Sequence, residues 1–209
     1  MKKIFTLVEL LIIISIMCIL TSMLLPALKK TREKATSIVC LGNEKQISTA
    51  IMMYSNDNNS WLVPLRYTNL STWPQWHHIL ETYDYIPANS TNPNWNEFTL
   101  PSHSIFNCAA KSPSGESQYW FGSKYGINVY FTDLLNPILF KKETSFTKPS
   151  STVMGGDTFR GALVSWDNRN DIPNYYHVEW RHDKGANLFF ADGHANWMNV
   201  TVAGQQIWY

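Results

Sequence analysis

The sequence predicts an α+β fold: one long N-terminal α-helix, apolar in its first half and amphipathic in its second, packed on a small antiparallel β-sheet with long loops. Three observations carry this. First, of the 29 aromatic residues (9 Trp, 10 Tyr and 10 Phe), only Phe5 precedes Tyr54. Second, from Phe5 to Leu28 only Thr6, Glu9, Ser15, Thr21, Ser22 and Pro26 are not hydrophobic. Third, Asp192-Gly193 stands between two β-prone runs, a hairpin signal. The averages over all 209 residues, 44% hydrophobic with a mean hydropathy of -0.21, describe neither part. A net charge of +1 without a basic stripe argues against a nucleic-acid-binding protein. The apolar content argues against a wholly disordered chain.

Lys2 and Lys3 precede the apolar run, and Lys29, Lys30, Arg32 and Lys34 close it. As a helix, residues 5–28 span roughly 36 Å, enough for a hydrocarbon core of about 30 Å. A signal peptide would have a shorter apolar run and a small-x-small cleavage site, and Ser22-Met23-Leu24 is a poor one. A plain membrane anchor explains the length but gives no use for Glu9, since a carboxylate in lipid costs a few kcal/mol and needs a partner. A cut just before Phe5 would supply one: the new α-amine lies four residues from Glu9, and a neighbouring subunit's amine would neutralise the carboxylate.

Beyond the run, Ile38, Leu41, Ile47, Ala50, Ile51 and Tyr54 recur at helical spacing. Asn56-Asp57-Asn58-Asn59 is a stop signal. One helix from Phe5 to about Tyr54 would be roughly 75 Å long. The charged stretch around Thr31–Glu33 reads as a solvated collar at the membrane surface.

Phe5-Thr6-Leu7-Val8-Glu9-Leu10-Leu11 resembles the processing motif of type IV prepilins and type II secretion pseudopilins. Met23-Leu24-Leu25-Pro26-Ala27-Leu28, Cys40, Asn43, Lys45-Gln46-Ile47 and Met53–Asn58 narrow the resemblance to the bacterial pseudopilin-like family with a C-terminal H-x9-DG signature. His182, followed after nine residues by Asp192-Gly193, supplies that signature at the other end of the chain. The resemblance implies a leader at residues 1–4, cleavage between Ile4 and Phe5, and methylation of Phe5. Ile4 stands where the family usually has Gly. It also implies a filament-core helix at 5–28 with a kinking Pro26, an amphipathic continuation at 29–57 and a pilin-like body at 58–209.

In that body, Gly126–Phe131, Thr152–Gly155, Ala162–Trp166, Tyr175–Trp180, Asn187–Ala191 and His194–Met198 are strand candidates. A type I′ turn at Asp192-Gly193 would join the last two. Ala88–Asn96 and Asp167–Asn174, rich in Asn, Pro and Ser or Asp, read as surface loops.

His177, His182, Asp183, Asp192 and His194 crowd the last third, but no H-E-x-x-H or G-x-S-x-G motif accompanies them. They read as structural, with Asp192 in the turn and His182 holding a backbone group. No metal, other cofactor or catalytic residue is expected from the pattern. If a cation does bind, the resemblance points to calcium, with Asp157, Asp183 and Asp192 as first candidates and Asp167 and Asp171 as further oxygens. No EF-hand spacing links them. In an extracytoplasmic body, Cys40 and Cys108 are candidates for a disulfide tying the helix to the loop around Phe106–Cys108. Two free, buried thiols are the other reading. No close Cys pair suggests zinc.

The functional expectation is therefore a non-enzymatic pilin-like subunit that polymerises through its N-terminal helix, with Glu9 pairing with the Phe5 amine of a neighbour. Its expected partners are itself and other pilin-like subunits, prepilin peptidase, the inner membrane and a pilus or secretion assembly machinery, with no nucleic acid. Its expected location is the inner membrane, single-pass, with the body extracytoplasmic. The rival is a membrane-anchored extracytoplasmic protein that binds or hydrolyses carbohydrate, suggested by the nine tryptophans, among them Trp61, Trp73, Trp76 and Trp95.

Overall fold

The computed structural model describes residues 6–65, 76–87, 104–110, 123–128, 141–158, 162–163 and 178–199. The α+β architecture is as expected: a long N-terminal helix and a small sheet whose main strands are antiparallel. The leader and Phe5, His177, Asp167, Asp171, Trp73 and Trp95 lie outside the described residues, as do both expected surface loops.

Helix α1 runs from Leu7 to Asp57, with Pro26 inside it. It stops where the Asn-rich signal predicts. Asn59 and Ser60 take positive φ of 54° and 66°, and the Ser60 amide donates to the Ser55 carbonyl at 2.8 Å. That is the Schellman pattern, in which a left-handed residue lets the chain satisfy the last carbonyls.

The chain divides into two compact units, Met1–Ala35 and Thr36–Tyr209. The division falls inside α1, so residues 36–57 fall in the same compact unit as the body. In the first unit every described side chain from Thr6 to Ala35 is exposed.

In the second unit α1 buries Cys40, Glu44, Ile47, Ser48, Ala50, Ile51, Tyr54 and Ser55. The predicted face is right at Ile47, Ala50, Ile51 and Tyr54. It is wrong at Ile38, which is 60% exposed, because Cys40 and Glu44 hold the inward positions of that turn. A short helix α2, Trp76–Thr82, adds Trp76, Ile79 and Leu80 to the same core, with Trp76 edge-on to Phe106 at 5.4 Å between ring centroids.

The sheet is β3-β1-β2-β4-β5 in spatial order. Its strands are β1 (Tyr125–Asn128), β2 (Val153–Asp157), β3 (Ala162–Leu163), β4 (Gly185–Phe190) and β5 (Ala195–Asn199). β1, β2, β4 and β5 pair antiparallel, and the two-residue β3 pairs parallel with β1. Five of the six predicted strands are found. The described part of the sixth makes only an isolated bridge, Thr158 with Val178.

Alternation along the strands sorts two cores. Tyr125, Ile127, Met154 and Phe189 pack with the buried face of α1, whereas Val153, Ala186, Leu188 and Phe190 pack with Val178 on the other face. Gly155 is required by this closeness, since a Cβ there would lie 2.2 Å from Phe189 Cζ and 2.3 Å from the Gly126 carbonyl oxygen.

Candidate functional site

Two places in the molecule concentrate chemistry, one in each unit. The first is the start of α1. The Thr6 amide and hydroxyl both donate to Glu9 Oε2, at 2.9 and 2.8 Å, and the Glu9 amide donates to Thr6 Oγ1 at 3.2 Å. This reciprocal pattern is a capping box, in which residues three apart satisfy orphan donors of the first turn. Thr6-x-x-Glu9, just ahead of the apolar run, is its sequence signal. The hydroxyls of Ser15, Thr21 and Ser22 donate to the carbonyls of Leu11, Met17 and Ile19. The polar groups of the apolar stretch are thus bonded within the helix itself. The helix is long and apolar enough to cross a membrane, a test that an anchor and a signal sequence both pass.

The second place lies between α1 and the sheet. Cys40 comes from α1, Cys108 from the segment 104–110, and His182 from the approach to β4. Their sulfur and nitrogen atoms all lie within 4.8 Å of one another, and all three residues are buried. Cys108 Sγ is 3.4 Å from His182 Nε2. The same nitrogen is 3.4 Å from Asp157 Oδ2 at the end of β2.

Local structure fixes each group. The Lys124 ammonium donates to the Cys108 carbonyl at 2.9 Å, and the Lys124 amide donates to the Phe106 carbonyl at 3.0 Å. His182 and Gly185 exchange two backbone hydrogen bonds, both 3.0 Å, around Asp183 and Lys184, whose φ values are 49° and 60°. Positive φ at both central residues of a two-residue loop is the type I′ signature. The tight turn therefore falls at Asp183-Lys184. It aims the imidazole into the core, while the His182 carbonyl accepts from Trp197 Nε1 at 2.7 Å. The expected role of the His182 ring, a bond to backbone, is corrected: the ring faces thiol and carboxylate.

Around these groups the buried surroundings are charged. Arg181 pairs with Glu179 and donates to the Thr158 carbonyl at 2.6 Å and the Lys124 carbonyl at 3.2 Å. Asp157 Oδ2 accepts from the Asn187 amide at 2.8 Å, and the Asn187 side chain donates to the Ser37 carbonyl on α1 at 3.2 Å. Asp157 Oδ1 and both oxygens of Glu44 are buried with no hydrogen-bond partner.

Burial shapes the electrostatics. It lifts the Glu44 carboxyl well above its ordinary range, helped by the nearby charges of Asp157 and Cys40. It lifts Asp157 to about 6, with the His182 and Arg181 charges pulling back. The Cys108 thiol donates to Cys40 and so holds the Cys40 thiol far below its usual range, against the effect of burial, while Cys108 itself is pushed up.

The signature's other half, Asp192-Gly193, docks the β4–β5 hairpin on α1. The Gly193 amide donates to the Phe190 carbonyl and the Phe190 amide to the His194 carbonyl, both at 2.9 Å. Only Gly193 has positive φ, 85°. The loop is thus a three-residue turn ending in a left-handed glycine, not the expected type I′ turn. The Gly193 carbonyl accepts from Lys45 Nζ at 2.5 Å, and a Cβ on Gly193 would lie 2.3 Å from Met52 Sδ. Two requirements, backbone conformation and close approach, therefore coincide at this glycine. Burial pushes the Asp192 carboxyl up, but bonds from the His194 ring and amide outweigh this and hold it low.

Of the calcium candidates, Asp157 is buried beside His182, while Asp183 and Asp192 are exposed in separate turns. Among the described residues, the converging metal-competent group is instead Cys40, Cys108 and His182. Cys40 and Cys108 bring their sulfur atoms within 4.8 Å of each other, and both are free thiols. The pair, 68 residues apart, is the one the sequence offers as a possible bridge; what the sequence does not show is His182 beside it. Glu44, four residues after Cys40, shares its helix face, but no sequence pattern signals that a carboxylate is buried there. No protein-family model, curated protein or solved structure matches the chain.

Proposed function

We propose that the protein is a pilin-like subunit, cleaved before Phe5 and assembled through its N-terminal helix into an envelope filament or type II secretion-like pseudopilus. The observation that carries this reading is the first half of α1. Its large apolar side chains, including Leu7 at 79% exposure and Met23 at 70%, are uncovered by the chain's own fold, and its one carboxylate within Leu7–Leu28, Glu9, is the fifth residue after Ile4. Lipid covers this surface before assembly, and the helices of neighbouring subunits cover it afterwards.

In this reading the subunit is a single-pass inner-membrane protein with an extracytoplasmic body. Its partners are prepilin peptidase, the assembly machinery and further pilin-like subunits. Removing Lys2 and Lys3 takes the basic side chains from 17 to 15 against 16 acidic ones, so the net charge goes from +1 to -1. A repeated head-to-tail contact gives an open helical polymer.

Within one subunit Glu9 caps its own helix. In the polymer it gains the charge of a neighbour's Phe5 amine. Glu9→Gln keeps a cap acceptor and loses the charge, whereas Glu9→Ala loses both. Both variants are expected to insert into the membrane and to be absent from filaments or secretion complexes, scored by immunoblot of sheared and membrane fractions. Normal incorporation of Glu9→Gln would show that Glu9 serves only as a cap and would remove the ion-pair role.

A further inference from the structure

We infer that Cys40, Cys108 and His182 form a structural zinc site that fastens the second half of α1 to the sheet, with the Asp157 carboxylate beside the fourth position. The inference concerns the body alone and does not depend on the filament reading.

The donor set is two thiols and one imidazole, the sulfur and nitrogen ligands that zinc prefers over harder cations. The spacing fits. For tetrahedral zinc with bonds of about 2.3 Å to sulfur and about 2.0–2.1 Å to nitrogen and oxygen, the sulfur–nitrogen edge is about 3.5 Å and the nitrogen–oxygen edge about 3.4 Å. The observed Cys108–His182 and His182–Asp157 separations are both 3.4 Å, and both converge on Nε2. A thiol–imidazole hydrogen bond accounts for the first separation alone. It leaves Asp157 Oδ1 and the whole Glu44 carboxylate buried and unpartnered around the same point. A divalent cation at the centre offsets two thiolates and draws on the neighbouring carboxylates, which a neutral disulfide does not do.

The placement also suits a staple. The three ligands come from a helix, a connecting segment and a hairpin, distant in sequence and each held by its own backbone bonds. Metal bound to the folded state and not the unfolded one adds directly to stability. The inward-facing His182 is then a metal ligand, and the signature's Asp192-Gly193 is the separate contact that seats the same hairpin on α1.

The test uses the full-length chain, purified from membranes in mild detergent without chelator. Metal content is read by plasma mass spectrometry, and thiol state by alkylation and peptide mapping. The expected result is one zinc per chain, with Cys40 and Cys108 alkylated only after chelation. Cys108→Ser is expected to lower bound zinc at least tenfold, and His182→Cys, which offers another thiolate, to retain it. Cobalt substitution of the unmodified chain reads the site without any variant and should give thiolate-to-cobalt absorption. A zinc-free chain in which Cys40 and Cys108 are joined in a disulfide overturns the inference, as does zinc content unchanged by Cys108→Ser.

Discussion

The two halves of α1 invert each other. Residues 7–28 turn apolar side chains outward along their whole length, and the polar groups of this stretch bond to the helix itself. Residues 36–57 bury Glu44, Ser48 and Ser55 alongside Ile47, Ile51 and Tyr54, while Val39 is 61% exposed. A single helix thus follows two burial patterns. The first half is built as if its surroundings were hydrocarbon, where association depends on packing and on the rare polar group. The second half is one wall of the body, and its polar interior requires either a partner for each buried charge or a ligand that supplies one. Composition alone finds the first half. Helical spacing and the Asn-rich stop find the second half, and only the fold shows which polar side chains it buries.

The largest effects that separate body from rod are expected at Gly155 and Ile47. A Cβ at Gly155 has backbone and ring atoms in the way, so Gly155→Ala should destabilise the body by about 3 kcal/mol or stop it folding. Denaturant unfolding of the detergent-solubilised chain, followed by tryptophan fluorescence, would measure it.

The comparison is sharpest when one substitution is made in each half. Ile47→Ala, at a fully buried position, should cost about 2–5 kcal/mol. Ile12→Ala, 52% exposed, should change the same unfolding curve by less than about 0.5 kcal/mol. Equal effects at the two positions would break the division between the halves.

Smaller in effect is a pH dependence on α2. Burial holds both imidazoles there neutral, His77 well below its ordinary range with His78's charge adding, and His78 down to about 4. As pH falls below the unfolded value of about 6.5, the unfolded chain binds protons that the folded chain refuses, so stability is complete above that pH and declines toward about 4. For His78 alone the loss between about pH 7 and pH 5 is about 2 kcal/mol. His78→Gln should be less acid-sensitive than the parent by that amount in paired urea titrations.

The smallest effect is at the cap. Thr6→Ala removes the hydroxyl that bonds Glu9 and should loosen the first turn by about 1 kcal/mol. Faster amide exchange confined to residues 7–10 would show it.

How much was legible in the sequence follows the same division. The apolar run, the stop at Asn56–Asn59 and five strands could be read because each is a local pattern. The Asp192-Gly193 turn was placed correctly but assigned the wrong geometry. Its conformation is set by the docking of Gly193 on Lys45 and Met52, a contact spanning 148 residues. The I′ turn at Asp183-Lys184 carried no glycine and so gave no signal. Glu44, Glu179 and Arg181 looked like surface residues because charged side chains usually are. The Cys40–Cys108–His182 cluster is assembled from three segments, and neither composition nor spacing encodes that convergence. Ile38 was assigned to the buried face because it is apolar, yet the helical phase set by Cys40 and Glu44 turns it outward.

The central claim, that this is a processed subunit whose helix assembles with others, is tested most directly at the N-terminus of the native chain. Mass spectrometry of the N-terminal peptide from the natural membrane should find Phe5 as the first residue, carrying an N-methyl group. Met1 or Lys2 at the start of the mature chain would contradict it.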